Sequence, residues 1–272
     1  MPLTRALSLP CRYYRVYTDP DVPCVEKNFG FVHRTLPLPV EQTALVLVDV
    51  WSTHYIASWL ARAAAVTRGK IVPALDAARR IGMTVIHGPS PFVADRYARA
   101  PAPFSEDTVG SGSGSHGDGH GEWPPADFRG IYRGGHFAAF GRDQEPRLSE
   151  AMERYKTELD IAPAVRPLPG EPIIHTGAQM HALLVERRIL HLVYAGFATN
   201  WCVIGRDYGV IAMNERDYNI ILLRDATTGI EFHDSADSLA ATAMTIREIE
   251  TKYGWTTEAE AFVASCGGVS DA

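Results

Sequence analysis

The sequence predicts an α/β fold: a doubly wound, Rossmann-like, mostly parallel sheet flanked by helices. Three observations predict it. TALVLVDV (43–50) and LHLVYAGF (190–197) are continuous apolar runs of strand length, the pattern of strands covered on both faces. Such runs alternate with segments of ten or more residues that read as helices, which demands parallel βαβ units with right-handed crossovers. Finally, the run GMTVIHGPS (82–90) is punctuated by Gly at its entry and Pro at its exit, as a strand between crossovers should be.

In chain order, residues 1–40 are rich in Pro and aromatics without clear periodicity and read as an N-terminal arm lying on the body or on a partner subunit. Residues 41–272 read as one α/β domain with an insertion at about 91–168. The first strand is 43–50, followed by a helical pattern over 53–81 interrupted near Gly69. GMTVIHGPS (82–90) is a second strand with Gly before it and Pro behind it. The insertion contains GSGSGSHGDGHG (110–121), a flexible composition, and then EWPPADFRGIYRGGHFAAFG; a stretch this long is a lid, an interface or disorder. EPIIHTG (171–177) reads as a third strand before helix 178–187. Strand 190–197 precedes helix 202–215, strand NIILLRDA (219–226) precedes helix 235–252, and WTTEAEAFVAS supplies a last strand and helix.

Bulk properties exclude several classes of function. At 272 residues the chain can bury a full core without staples. A net charge of −6 with no basic stripe argues against a nucleic-acid partner. Four cysteines at wide spacings form neither a zinc pattern nor a disulfide framework. With no signal-peptide core and no run of about 20 apolar residues, the expectation is a cytoplasmic protein off the membrane.

In open parallel sheets, ligands bind beyond the carboxyl ends of the strands. Asp49, His87, His175, Cys202 and Asp225 all fall at such ends. Cys202 sits at the start of an expected helix, where the dipole and unpaired N–H groups favour a thiolate and can hold an oxyanion. The alternative is an inert buried thiol. Asp49 ends the most apolar strand, where a carboxylate either caps a turn or moves protons. Together they provide a nucleophile and a base on one sheet edge, the minimum for acyl transfer.

TALVLVDV, GEPIIHTG, LHLVYAGFATNWCV and NIILLRDATTGIEFHDSA, in that order, resemble the isochorismatase-like cysteine hydrolases. The most specific part is G-x-x-T-x-x-C-V after a buried strand, followed by D-A and by Glu231 and His233. The resemblance implies a doubly wound fold built into homodimers or homotetramers. It also implies a Cys–Asp–Lys triad in which Cys202 forms a thioester and Asp49 shuttles the proton. A cis peptide between Ala198 and Thr199 would shape the oxyanion hole. The family's lysine has no evident counterpart: its segment reads EPIIHTGAQMHALL, with His175 at the strand end, and Lys156 lies well upstream. His175 is the expected substitute, with Arg129, Arg133 or Arg142 of the insertion as others.

Ala198 and Thr199 are thus candidates for the oxyanion site, and Trp51, Tyr55 and Trp201 for substrate contacts, with His54 beside them. No metal is expected, because His87 and Asp95 lack paired spacing and His116 and His120 lie in a glycine tract poorly organised for a metal. No cofactor is expected either, since no G-x-G-x-x-G follows the first strand. The function read from the sequence is hydrolysis of a small-molecule C–N bond (amide, ureide or imide) through a thioester. A catalytically silent member binding a small molecule or a protein partner is the alternative, on the strength of the missing lysine. A thiol redox role is weaker, because no resolving cysteine is near in sequence.

Overall fold

The computed structural model describes residues 5–97 and 123–269. The 110–121 segment, with His116 and His120, lies outside the described residues. Contacts divide the chain into two units, residues 1–100 with 158–272, and residues 101–157.

The main unit is organised around a seven-stranded sheet of order β2-β1-β7-β6-β5-β3-β4. Its parallel part comprises β3 (Thr43–Val48), β4 (Thr84–Gly88), β5 (His191–Phe197), β6 (Asn219–Thr228) and β7 (Gly254–Thr257). Every residue of β3 is buried, as its unbroken apolar run requires of a strand covered on both sides. One cover contains α1 (Ala57–Val66), α2 (Val72–Arg80) and α8 (Ala259–Gly267), which contact the sheet or one another. A second apolar cluster joins Val46, Tyr194 and Leu222 of the sheet to Met180 and Leu184 of α5 (Gly177–Glu186), Met213 of α6 (Val210–Asn214) and Ile249 of α7 (Ala240–Lys252). The expected interruption near Gly69 is a π-helical turn at Thr67–Ile71 between α1 and α2.

Two differences from the sequence reading stand out. Residues expected as an aperiodic arm form β1 (Ala6–Arg15) and β2 (Gly30–Pro39), an antiparallel pair in register over ten residues; β1 extends the sheet beside β7. Leu7, Leu9 and Cys11 alternate inward along β1, a period-two signal present in ALSLPC. Conversely, EPIIHTG does not make a strand. It touches the sheet through a single parallel bridge, Ile173 to His87, with the His87 amide donating to the Pro172 carbonyl and the Ile174 amide to the His87 carbonyl.

That segment is pinned by side chains instead. Glu171 accepts two bonds from Arg79 (2.7 and 2.8 Å) and one from the Leu168 amide, and lies 2.8 Å from His87 Nε2. Burial raises its pKa, but Arg79, His87 and Leu168 outweigh that and hold it at about 2. A carboxylate depressed in the folded state stabilises fully above its unfolded pKa, and that contribution is lost as pH falls through the folded one. Glu171→Gln is therefore expected to lower the melting temperature at neutral pH. The deficit should shrink as the pH is taken from about 4.5 down to about 2, read by thermal melts across that range.

The second unit is described over 123–157. It holds a cis Trp123–Pro124 bond, 3-10 turns at Ala126–Phe128 and Gly135–Phe140, and α4 (Pro146–Glu158), which runs to the unit's end. The Arg133 guanidinium lies 4.0 Å from the Phe128 ring centroid, and the Tyr132 hydroxyl donates to Glu145 (2.8 Å). A further short helix, α3 (Pro91–Tyr97), belongs to the main unit and is tied to the 159–162 segment by Arg96 and Tyr97. Among the described residues, no helix is long and apolar enough to cross a membrane.

Candidate active site

Strand order reverses between β3 and β5. From β3 the chain crosses outward to β4, then returns to the other side of β3 as β5 and continues to β6 and β7. Such a reversal opens a crevice at the carboxyl ends of the two strands. Asp49 follows β3 there, and the turn carrying Cys202 follows β5. The strands approach so closely that a Cβ on Gly196 would lie 2.0 Å from the Val48 carbonyl oxygen.

Asp49 is 1% exposed and adopts a left-handed backbone, φ 44°, with its amide donating to the Gly88 carbonyl. A non-glycine residue held there costs about 1–3 kcal/mol and persists only where its surroundings fix it. Here both carboxylate oxygens are engaged. Oδ1 accepts from Trp51 Nε1 (3.1 Å) and from Ser90 Oγ (3.2 Å). Oδ2 accepts from Arg206 Nη2 (2.8 Å) and, more weakly, from Nε (3.3 Å); Nη2 also reaches Ser90 Oγ (3.0 Å).

Cys202 lies in a π-helical turn, Thr199–Val203, and is partly buried. The expected helix over 202–215 does not form as one piece. The chain breaks around Arg206, and α6 is only Val210–Asn214. Gly209 makes the break possible, since a Cβ there would meet the Val203 carbonyl oxygen at 2.8 Å and the Arg206 carbonyl oxygen at 3.0 Å. With one short turn behind it, Cys202 lacks the long helix whose dipole was expected to favour a thiolate. Burial pushes the thiol up, and the charge of Asp49, within hydrogen-bonding reach, pushes it further; Arg206 and the Ala198 amide pull the other way, leaving it at about 12. Taken together, these influences favour the protonated thiol in the folded site. This corrects the expectation of a resting thiolate.

The non-proline cis bond is Phe197–Ala198, one residue ahead of the expected Ala198–Thr199 bond. Thr199 is fully buried, its hydroxyl 2.6 Å from that of Thr227 on β6, so the side chain ties the turn to the sheet. Asn200 clamps the same turn by bonding both the amide and the carbonyl of Ile230 (2.9 and 2.8 Å). Trp51 reaches Asp49 directly. Its ring stacks on His54 (5.9 Å), which in turn stacks on Tyr55 (4.6 Å) and packs on Trp59 (4.2 Å). Burial drives His54 down to about 4, so it stays neutral and part of the aromatic wall. Trp201 is 48% exposed at the mouth of the turn.

His87, Asp225 and Glu231 make structural contacts. His87 is buried against Glu171. Asp225 accepts from the Ala259 amide (2.7 Å) at the start of α8 and pairs with Lys70 (2.8 Å). Glu231 caps α7, accepting from the amides of Ala241 and Thr242 (3.0 Å each) and from the Ser235 hydroxyl (2.6 Å). At His175 the backbone amide donates to Gln179 Oε1 (2.9 Å). Among the described residues no His, Cys, Asp and Glu side chains cluster as metal ligands.

Arg206 escaped the sequence reading, which sought a cation near the preceding strand. The available signal was its position four residues after Cys202, a spacing that places side chains on one helical face.

Cys202 and the buried Asp49 thus lie together at the switch point of an α/β sheet. The chain belongs to the isochorismatase family of hydrolases: the family's model, an isochorismatase domain, matches residues 43–253. Among solved structures it is similar to a cysteine hydrolase from Pseudomonas syringae pv. phaseolicola, at 17% identity and a TM-score of 0.56 over 86% of this chain and 97% of that one. It also matches an isochorismatase from Pseudomonas putida (17% identity, TM-score 0.46, covering 82% and 90%) and N-carbamoylsarcosine amidase from Thermoplasma acidophilum (14%, 0.41, covering 80% and 97%). The first of these likenesses supports the fold.

Proposed function

We propose that this chain is a cysteine-dependent hydrolase of a C–N bond in a small amide, ureide or imide. The observation that carries the reading is the Cys202 thiol within reach of the buried Asp49 carboxylate at the sheet's switch point. Cys202 Sγ attacks the carbonyl carbon while Asp49 takes the thiol proton. Backbone amides at Ala198 and Thr199 hold the oxyanion, an interaction worth about 3–4 kcal/mol per donor. As the C–N bond breaks, Asp49 delivers that proton to the leaving nitrogen. Water then attacks the thioester, giving one proton to Asp49 and on to sulfur, and releases the acid. Trp51, Tyr55 and Trp201 form the apolar surround of the acyl group.

The test is formation of the carboxylic acid, with its amine, ammonia, urea or amide co-product, from a panel of small amides, ureides and imides, followed by mass spectrometry for wild type and for Cys202→Ala. Turnover of at least one member, lost by about 10⁴-fold or more in the variant, is the expected result. Equal rates in the two proteins would refute the thioester route. The neutral resting thiol favours one other reading, a silent binding member. Saturable binding of a panel compound by wild type without turnover would establish that reading instead.

A further inference from the structure

We propose that Arg206 is the fixed counter-charge of this site: a positioning residue that keeps Asp49 ionised and aimed at Cys202 without itself exchanging protons. The proposal rests on the reading of Cys202 and Asp49 as nucleophile and base, and extends it to a third residue.

The Asp49 side chain has no exposure to water. An ionised carboxylate in that position is costly unless paired. Two of its partners, Trp51 and Ser90, are neutral donors. Arg206 brings the charge, and its position does more than neutralise. Nε and Nη2 converge on Oδ2 while Nη2 also holds Ser90 Oγ, whose hydroxyl donates to Oδ1. Guanidinium, hydroxyl and carboxylate thus form a closed ring that fixes the carboxylate plane. The Arg206 amide also donates to the Cys202 carbonyl (3.1 Å), so the cation is anchored to the nucleophile's own turn.

The groups facing this ring are few. Cys202 comes from the π turn and Asp49 from the end of β3. Tyr208, buried beneath with its hydroxyl on the Gly88 and Pro89 carbonyls, has its ionisation opposed by burial, and Asp207 beyond it accepts from the Gly177 amide. Burial works against the charge on Arg206, but Asp49, Tyr208 and Cys202 together, with the hydrogen bond to Asp49, outweigh it and leave the guanidinium more firmly protonated than a free one. A lysine in this role can lose its proton; an arginine does not. Proton traffic is therefore confined to Asp49 and Cys202.

The probe is iodoacetamide, with the alkylation rate at Cys202 followed by peptide mass spectrometry across the range where carboxylates and thiols titrate. Without its cation, Asp49 holds its proton to higher pH. In Arg206→Gln the acid limb of alkylation is expected to move up by about one pH unit or more, and Arg206→Lys should restore most of the shift. A limb in Arg206→Gln at the wild-type position, or an Arg206→Lys chain that behaves like Arg206→Gln, overturns the proposal. Should Arg206→Gln not fold, Asp49→Asn is compared with the double variant Asp49→Asn/Arg206→Gln. The single variant should then alkylate at lower pH, because the guanidinium still favours the thiolate; coincident profiles overturn the proposal. An unmoved limb in a chain that hydrolyses amides defeats the role of Arg206 alone, whereas absence of turnover leaves the alkylation result standing on its own.

Discussion

Asp49→Asn is expected to reduce turnover by about 10²–10⁴-fold, the range for removing a positioned general base. Asparagine isolates the charge. It is nearly isosteric, and it tolerates the left-handed backbone that Asp49 adopts at φ 44° better than other side chains do. The Trp51 and Ser90 hydrogen bonds to Oδ1 have an acceptor to keep. What disappears is the acceptor of the thiol proton and the partner of the Arg206 guanidinium. Breaking a buried pair costs about 3–5 kcal/mol, and Arg206 is 28% exposed, so the lower end or less applies here. The checks are kcat on whichever panel compound wild type hydrolyses and a urea titration of the same sample. A folded variant retaining more than a tenth of wild-type activity would show that Asp49 is not the base.

Gly196→Ala is expected to cost about 3–5 kcal/mol, combining overpacking with backbone strain. Gly196 has φ 118°, a conformation alien to alanine, and the new methyl would meet the Val48 oxygen at 2.0 Å and the Val48 nitrogen at 2.8 Å. Neither atom can yield, because both belong to the β3–β5 ladder, in which Val48 is paired with Gly196. Losing that register would separate Asp49 from the Cys202 turn. Gly205→Ala is the control: a Cβ there meets nothing within 4 Å, and its stability should stay close to wild type. The measurement is the urea midpoint of both variants. A Gly196→Ala midpoint equal to that of Gly205→Ala would mean that the strands do not close as tightly as described.

The parallel strands were legible because burial on both faces leaves little room for polar residues, and TALVLVDV and LHLVYAGF carry almost none. Asp49 and Cys202 were legible for a related reason: polar, reactive side chains at the ends of such runs stand out. The β1–β2 pair was harder to read. Its alternation of Leu7, Leu9 and Cys11 is crossed by Pro10 within β1 and by Pro37 and Pro39 in β2, which obscure strand character, although β2, as the edge strand, tolerates its prolines. EPIIHTG reads as a strand by composition, yet it is held mainly by the ion pairs of Glu171, which no periodicity reveals. Arg206 left only its spacing of four from Cys202 as a signal, and its role was obscured for a different reason. Its role depends on the chain breaking after the Cys202 turn, and a helix drawn through 202–215 conceals the break. The thiol's protonation state also depends on that break and on the proximity of a residue more than 150 positions away.

With the proposed charge carried on the nucleophile's own segment, the sheet edge at 171–177 is relieved of chemistry. One bridge and a carboxylate clasp hold it beside β4, and the proposed mechanism routes no proton through it. Changes over 171–176 can therefore accumulate at a cost in local order rather than in reactivity, whereas Gly177, where a Cβ would meet the Asp207 carbonyl oxygen at 2.1 Å, is held against the segment that follows Cys202. Variation among close homologues should accordingly be permissive along the edge and severe at Phe197, Ala198, Thr199, Asn200, Cys202 and Arg206, so that substrate preference can drift at the rim while the reaction itself is preserved.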